Sequence, residues 1–213
     1  DMVDASGLFG YVINGGSSSS NLEGSNFSDS ISGNAGIDTL YGNKGNDTIE
    51  GGGGADIINA GRGVGLIKDA GNGADVITHD QGSALVVYNT GVDPVILKAS
   101  RPGAYVAVNV AGARTVNAST STAAVTLDGR GAGENIVTYT GGLGDDSIFG
   151  GSVGDALLGK DGNDTFTGGL AADTISVGNG SNTVVFTGGL TTDVISGYTT
   201  DDVGSFDLTK LEM

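Results

Sequence analysis

Aspartate recurs at nine-residue intervals in this chain, at Asp29, Asp38, Asp47 and Asp56, and again at Asp146, Asp155, Asp164 and Asp173. Two places after each comes a large apolar residue: Ile31, Leu40, Ile49, Ile58, Ile148, Leu157, Phe166 and Ile175. The phrase is cleanest from Gly33 to Asn59, where Gly33–Tyr41, Gly42–Glu50 and Gly51–Asn59 follow one another without a gap. Each copy opens on small turn-forming residues, with Gly at the fourth place, Asp at the sixth and an aliphatic at the eighth. Across twelve alignable copies the sixth place is Asp in all but two, Gly65 and Asn182, and the eighth is always apolar. Gly leaves backbone carbonyls uncovered. Carbonyls beside a carboxylate form a set of hard oxygen donors, the chemistry of a divalent cation such as calcium.

Other chemistries find little support. Gly150-Gly-Ser-Val-Gly154 has the spelling of a nucleophile elbow, but it falls inside one of these copies and lacks a strand-to-helix setting. Gly154 to Lys160 has the spacing of a phosphate-binding loop, yet Asp161 stands where Ser or Thr must bind magnesium. His79 is the single histidine and there is no cysteine, so a zinc site lacks partners; His79 is expected on the surface or in a loop. The tyrosines are expected to cover a surface. Asn46-Asp-Thr48 and Asn163-Asp-Thr165 follow from the repeat and are not read as glycosylation sites. The chain is expected not to be an enzyme.

With 25 acidic residues against 9 basic, the net charge is −16, which argues against a nucleic-acid surface. The acids recur at fixed places rather than in a solvated run, which points to cations. Disulfides are excluded by the lack of Cys, and a metal is the available substitute for an extracellular chain. No apolar run reaches the roughly 20 residues that span a bilayer, so the chain is not expected to cross a membrane. No charged-then-apolar leader opens it; Asp1 is expected to begin a processed product or a fragment.

Five segments follow from the pattern. Residues 1–23 form a strand-rich entry, and 24–78 a first repeat block, with one inserted residue before its last copy. Residues 79–140 are β-branched and alternating (Leu85–Tyr88, Val95–Leu97, Tyr105–Val110, Ala123–Leu127, Ile136–Tyr139), a β-rich segment without the cation motif. Residues 141–202 form a second block and 203–213 a capping tail.

The nonapeptide Gly-Gly-x-Gly-x-Asp-x-apolar-x resembles the RTX (hemolysin-type calcium-binding repeat) family of secreted bacterial proteins. The resemblance covers 24–78 and 141–202 closely. It implies an all-β chain of parallel β-roll (β-solenoid) blocks that bind several Ca2+ ions, joined by a non-calcium solenoid or sandwich. In such a roll six residues turn and three make a strand, two copies close one coil, and residues 18 apart stack. Asp38 would stack on Asp56, Asp29 on Asp47, Asp146 on Asp164 and Asp155 on Asp173. Carboxylates about 5 Å apart repel by roughly 3 kcal/mol at an effective dielectric of 20, and a cation reverses that sign.

The ligands the family implies are the sixth-place Asp and carbonyls of the first four places. Here these are Asp29, Asn34, Gly36, Asp38, Asn43, Gly45, Asp47, Gly52, Gly54, Asp56 and Asp75 in the first block. In the second they are Gly142, Gly144, Asp146, Gly151, Asp155, Gly162, Asp164, Asp173 and Asp193. Gly65 and Asn182 should weaken one position in each roll.

The function implied is that of an extracellular or cell-surface structural protein, exported by a type I route, whose folding and assembly depend on calcium. It would be a surface-layer or filament subunit, or a segment of one. Val3-Asp-Ala-Ser6 and Val116-Asn-Ala-Ser119, each ahead of a repeat block, are similar to S-layer-type relatives in this respect. Self-association into a lattice or filament and a cell-surface polysaccharide are the expected partners besides calcium. The alternatives are a secretion and adhesion module of a larger adhesin or toxin, or the calcium-folded tail of a secreted lipase or protease.

Overall fold

A three-residue strand can bury only its middle side chain, because successive side chains point to opposite faces. The nonapeptide obeys this arithmetic. Thr39–Tyr41, Ser147–Phe149, Ala156–Leu158 and Thr165–Thr167 each bury the central, eighth-place residue and leave both flanks at least partly accessible. The computed structural model describes residues 2–4, 9–69, 73–79, 84–89, 95–108, 114–187 and 192–206. These form strands and turns, and no helix among them is long and apolar enough to cross a membrane.

Alternate strands join two parallel 11-stranded sheets, one running from Met2–Asp4 to Val194–Ser196 and the other from Val12–Asn14 to Val203–Phe206. Within the blocks the register is 18 residues: Leu22 pairs with Leu40, Ile31 with Ile49, Leu40 with Ile58, Leu157 with Ile175. A β-solenoid results. The eighth-place side chains of the two sheets meet in one column, in which Leu22, Ile31, Leu40, Ile49, Ile58, Ile67, Ile77, Ile148, Leu157, Phe166, Ile175 and Val184 are buried. Ile195 is only partly buried against its end.

Insertions change the coil length without breaking the sheets. The extra residue near Asp69 appears as a register shift, Glu50 pairing with Asp69 after Ile49 has paired with Ile67. The β-rich segment continues the same two sheets rather than forming a sandwich: Val95 pairs with Asp75 behind it and Val116 ahead, and Thr138 with Ala156. Its coils are longer, and Leu97, Val116, Leu127 and Tyr139 extend the core column.

Two expectations fail here. His79 is buried on the strand Asp75–His79, its ring nitrogen 3.3 Å from the Pro102 carbonyl oxygen. The coil here is longer than the repeat, and the turn carrying Pro102, after the neighbouring strand Val95–Ala99, meets the ring. Tyr139, read as surface cover, is among the largest fully buried side chains, because it occupies the position the eighth-place residue fills elsewhere. Tyr41 and Tyr198 are exposed as expected. Residues 5–8, Pro94 and the tail from 207 onward lie outside the described residues.

The column makes a sharp prediction at two adjacent isoleucines. Ile58 is buried and Ile57 is 46% exposed. Ile58→Ala should cost about 2–5 kcal/mol of unfolding free energy and Ile57→Ala no more than about 0.5 kcal/mol, measured by urea melts of the calcium-loaded protein.

Candidate metal centre

The backbone N–H of the sixth place finds its acceptor in a side chain, the sixth-place carboxylate of the next coil. The Asp38 N–H donates to Asp56 Oδ1 (2.8 Å) and the Asp56 N–H to Asp75 Oδ1 (2.8 Å). On the opposite edge the Asp29 N–H donates to Asp47 Oδ1 (2.9 Å). In the second block the Asp146 N–H reaches Asp164 Oδ1 and the Asp155 N–H reaches Asp173 Oδ1, both at 2.8 Å. The half-buried Asp193 continues that edge, accepting from the Asp173 N–H at 3.0 Å. Each coil is thereby clipped to the next by a carboxylate oxygen. The stacked carboxylates form a ladder of buried groups: Asp38, Asp47, Asp56, Asp146, Asp164 and Asp173 are all no more than 1% exposed.

Asn182 shows what the ladder needs. Its Oδ1 accepts the Asp164 N–H at 2.9 Å, as an Asp would. A neutral amide therefore suffices for the clip, and the negative charge in the other copies calls for a different partner. That partner would sit at the second oxygen. Oδ2 of Asp38, Asp47, Asp56, Asp164 and Asp173 is buried with no hydrogen-bond partner. A buried carboxylate oxygen left unpaired is costly.

That oxygen sits in the space left by the first-place glycine. Oδ2 of Asp47 lies where a methyl on Gly42 would have to go, 2.5 Å from the ideal Cβ position. The Ala60 carbonyl oxygen lies equally close to it. Gly33, Gly141, Gly159 and Gly168 seat Asp38, Asp146, Asp164 and Asp173 in the same way. First-place glycine is thus required because a side chain would fill the acid's seat. The implied ligand set named carbonyls and overlooked this role, although Gly at nearly every first place was the signal.

Among the described residues no three His, Cys, Asp or Glu side chains converge, so a bound cation would take its remaining oxygens from the backbone. The carbonyls are at hand. Those of Asn34, Gly36, Asn43 and Gly45 stand where a Cβ on Gly52, Gly54, Gly61 and Gly63, one coil on, would have to go. A carboxylate oxygen without a donor, set among carbonyls in a glycine-lined seat, fits calcium, which takes six to eight oxygens at irregular angles. The ion would neutralise the buried charge and tie adjacent coils together. Gly65 and Asn182 occupy turns with the same backbone but no carboxylate.

Without the ion the acids compete for protons. Burial pushes Asp47 and Asp164 up to about 7 and Asp173 to about 6, and the Asp one coil earlier adds to the rise in each case. Asp56, Asp146 and Asp155 are also raised, again mainly by burial. A carboxyl whose folded pKa lies above its unfolded value holds a proton in the fold that the unfolded chain has released. Its contribution is complete below about pH 4 and lost as pH rises through 6 to 7. The β content of the demetallated protein, and the thermal stability of whatever part of it is folded, should therefore fall from pH 4.5 to pH 8. Excess calcium should remove that decline, because the cation takes the proton's place. Thermal melts followed by circular dichroism at matched ionic strength check both trends.

The comparisons agree with this geometry. The model of the RTX calcium-binding nonapeptide repeat matches the chain in 4 copies, over residues 14–36, 32–67, 138–152 and 149–184. No curated protein matches the chain. The matched stretches include Asp29, Asp38, Asp47, Asp56, Asp146, Asp155, Asp164 and Asp173, and with them every acid whose second oxygen is orphaned. RTX repeats bind calcium ions at several sites and are typical of secreted proteins. With its glycine-seated carboxylates stacked along a parallel β-solenoid, this chain carries RTX calcium-binding nonapeptide repeats in both of its blocks.

Proposed function

We propose that the chain is an extracellular structural protein, a surface-layer or filament subunit or a segment of one, without enzymatic activity of its own. Calcium is what makes its rolls rigid. The observation that carries the reading is the row of orphaned, buried carboxylate oxygens down the solenoid: a fold so built is incomplete until cations enter, and millimolar extracellular calcium suits weak carbonyl-rich sites. Outside a cell, calcium would thus act as the folding signal, consistent with export of an unfolded chain by a type I route.

Assembly follows from the ends. In each sheet the strand order stops at Val194–Ser196 or Val203–Phe206, so these parallel strands have a neighbour on one side only among the described residues. Such edges pair readily with another strand, and repeat proteins stack by this route. Beyond the buried acids, a net charge of −16 leaves carboxylates on the surface for calcium to bridge between copies. A cell-surface polysaccharide would find a cleft of about 490 Å3 on the first roll, where Tyr41 stands beside Asn26, Asn43, Asn59, Lys44 and Arg62. The aromatic face, amides and cations of that cleft suit sugar hydroxyls and acidic groups.

The test is calcium titration of the demetallated full chain. Circular dichroism should show cooperative gain of β structure at sub-millimolar to millimolar ion, and full β content beforehand would contradict the reading. Negative-stain electron microscopy after calcium addition should show sheets or fibres. Dispersed monomers that bind cells or glycans would favour an adhesion module instead.

A further inference from the structure

The repeat turns are of two kinds. In the first, residues at the second and fourth places are left-handed: Asn34 and Gly36, Asn43 and Gly45, Gly52 and Gly54, Lys160 and Gly162, Gly169 and Ala171, with φ between 68° and 127°. These five turns carry Asp38, Asp47, Asp56, Asp164 and Asp173, the same five acids whose Oδ2 has no partner. In the second kind neither place is left-handed. There the second-place N–H swings onto the acid. Ser25 N–H donates to Asp29 Oδ2 (2.6 Å), Gly142 N–H to Asp146 Oδ2 (2.6 Å) and Gly151 N–H to Asp155 Oδ2 (2.5 Å). None of these eight turns mixes the two patterns; at the end of the second block Asp202 is closed by a variant, its Oδ2 accepting from the third-place Thr199 N–H at 2.5 Å.

The cause of the difference is visible in each case. Phe27 and Val153 stand at the fourth place of the turns bearing Asp29 and Asp155, and bulky or β-branched residues resist positive φ. The Asp29 turn is further closed by the Ser25 hydroxyl, 3.0 Å from Oδ1 and 3.2 Å from Oδ2. The Asp146 turn has glycine at both places, so its sequence permits either form. Its neighbour decides. The turn lies on the non-repeat coil before it, where the Leu143 N–H donates to the Ser121 carbonyl at 2.8 Å and Gly144 abuts Ala123 and Ala124.

An N–H directed at Oδ2 puts a positive hydrogen where a cation would have to approach. We propose that the turns bearing Asp29, Asp146 and Asp155 close on themselves and take no calcium, while those bearing Asp38, Asp47, Asp56, Asp164 and Asp173 each seat an ion. This assignment rests on the calcium reading above. It makes the closed turns metal-independent leading coils of the blocks. The Asp29 turn opens the first block, and the Asp146 and Asp155 turns open the second on both of its edges. Calcium-bound coils then stack on a base that needs no ion.

Native mass spectrometry of the full chain with calcium counts the bound ions, with circular dichroism as the folding control. The combined variant Asp29→Asn, Asp146→Asn, Asp155→Asn should keep the wild-type number. Asp47→Asn and Asp164→Asn should each lose one ion. Asn182 shows that the ladder tolerates the amide. Anomalous scattering from crystals of the wild-type protein grown in calcium gives the positions without any substitution. Density at Asp38, Asp47, Asp56, Asp164 and Asp173 supports the assignment. An ion coordinated by Asp29, Asp146 or Asp155, or ions lost from the combined variant, overturns it and leaves calcium binding intact. A chain that takes up no calcium at all overturns the underlying reading, and this assignment with it.

Discussion

The hydrogen bond from one turn's N–H to the sixth-place oxygen of the next coil is the constraint on which this solenoid depends. Strands of three residues bury one side chain apiece, too little apolar surface to hold a coil in place alone. The side-chain clip runs where each turn enters its strand and joins Ser20 to Asp38, Asp38 to Asp56 and Asp56 to Asp75 along one edge. Its geometry places the first carboxylate oxygen in a bond and forces the second into the interior. Everything distinctive about the turns, from glycine at the first place to the carbonyls crowding around it, follows from housing that second oxygen.

Charge at that oxygen can be met in three ways, and the chain shows traces of each. A proton serves at low pH, as the raised Asp47 and Asp164 indicate. A backbone N–H serves at Asp29, Asp146 and Asp155. A cation is the remaining solution for the five acids that have neither. Because the three exclude one another locally, backbone φ at two places of a turn becomes a switch between self-sufficiency and dependence on calcium. Five of the eight repeat acids described in these turns sit in the dependent state.

The segment between the blocks uses the same two sheets with few acids of its own in the clips: the Ala99 N–H donates to the Ser121 hydroxyl, and the Val125 and Val137 N–H groups to Asp146 and Asp155 of the second block. Its coils are longer and its core residues larger or more numerous, with Val95, Leu97 and Ala99 all buried on one strand and Val137 and Tyr139 on another. Where apolar burial per coil rises, the need for the acid falls. The solenoid therefore alternates between two sources of cohesion while its architecture stays continuous, and His79 is buried at the first crossing from one to the other.

Much of this was legible in the residues alone. The nine-residue period by itself picked out the recurring acids and the apolar eighth place, while the three-residue strand and the 18-residue register were what the resemblance to calcium-binding rolls implied. The inserted residue near Asp69 was readable as a break in that period, and it reappears as the register shift. Tertiary structure alone decided the rest. That Asp pairs with a neighbouring N–H rather than merely facing another Asp depends on the distance between coils, which no single copy encodes. Likewise Gly142 and Gly144 could have formed an open turn, and only contact with Ser121, Ala123 and Ala124 closed it. Local spelling sets which conformations a turn can reach; the coil packed against it selects one, because glycine leaves the choice to its surroundings.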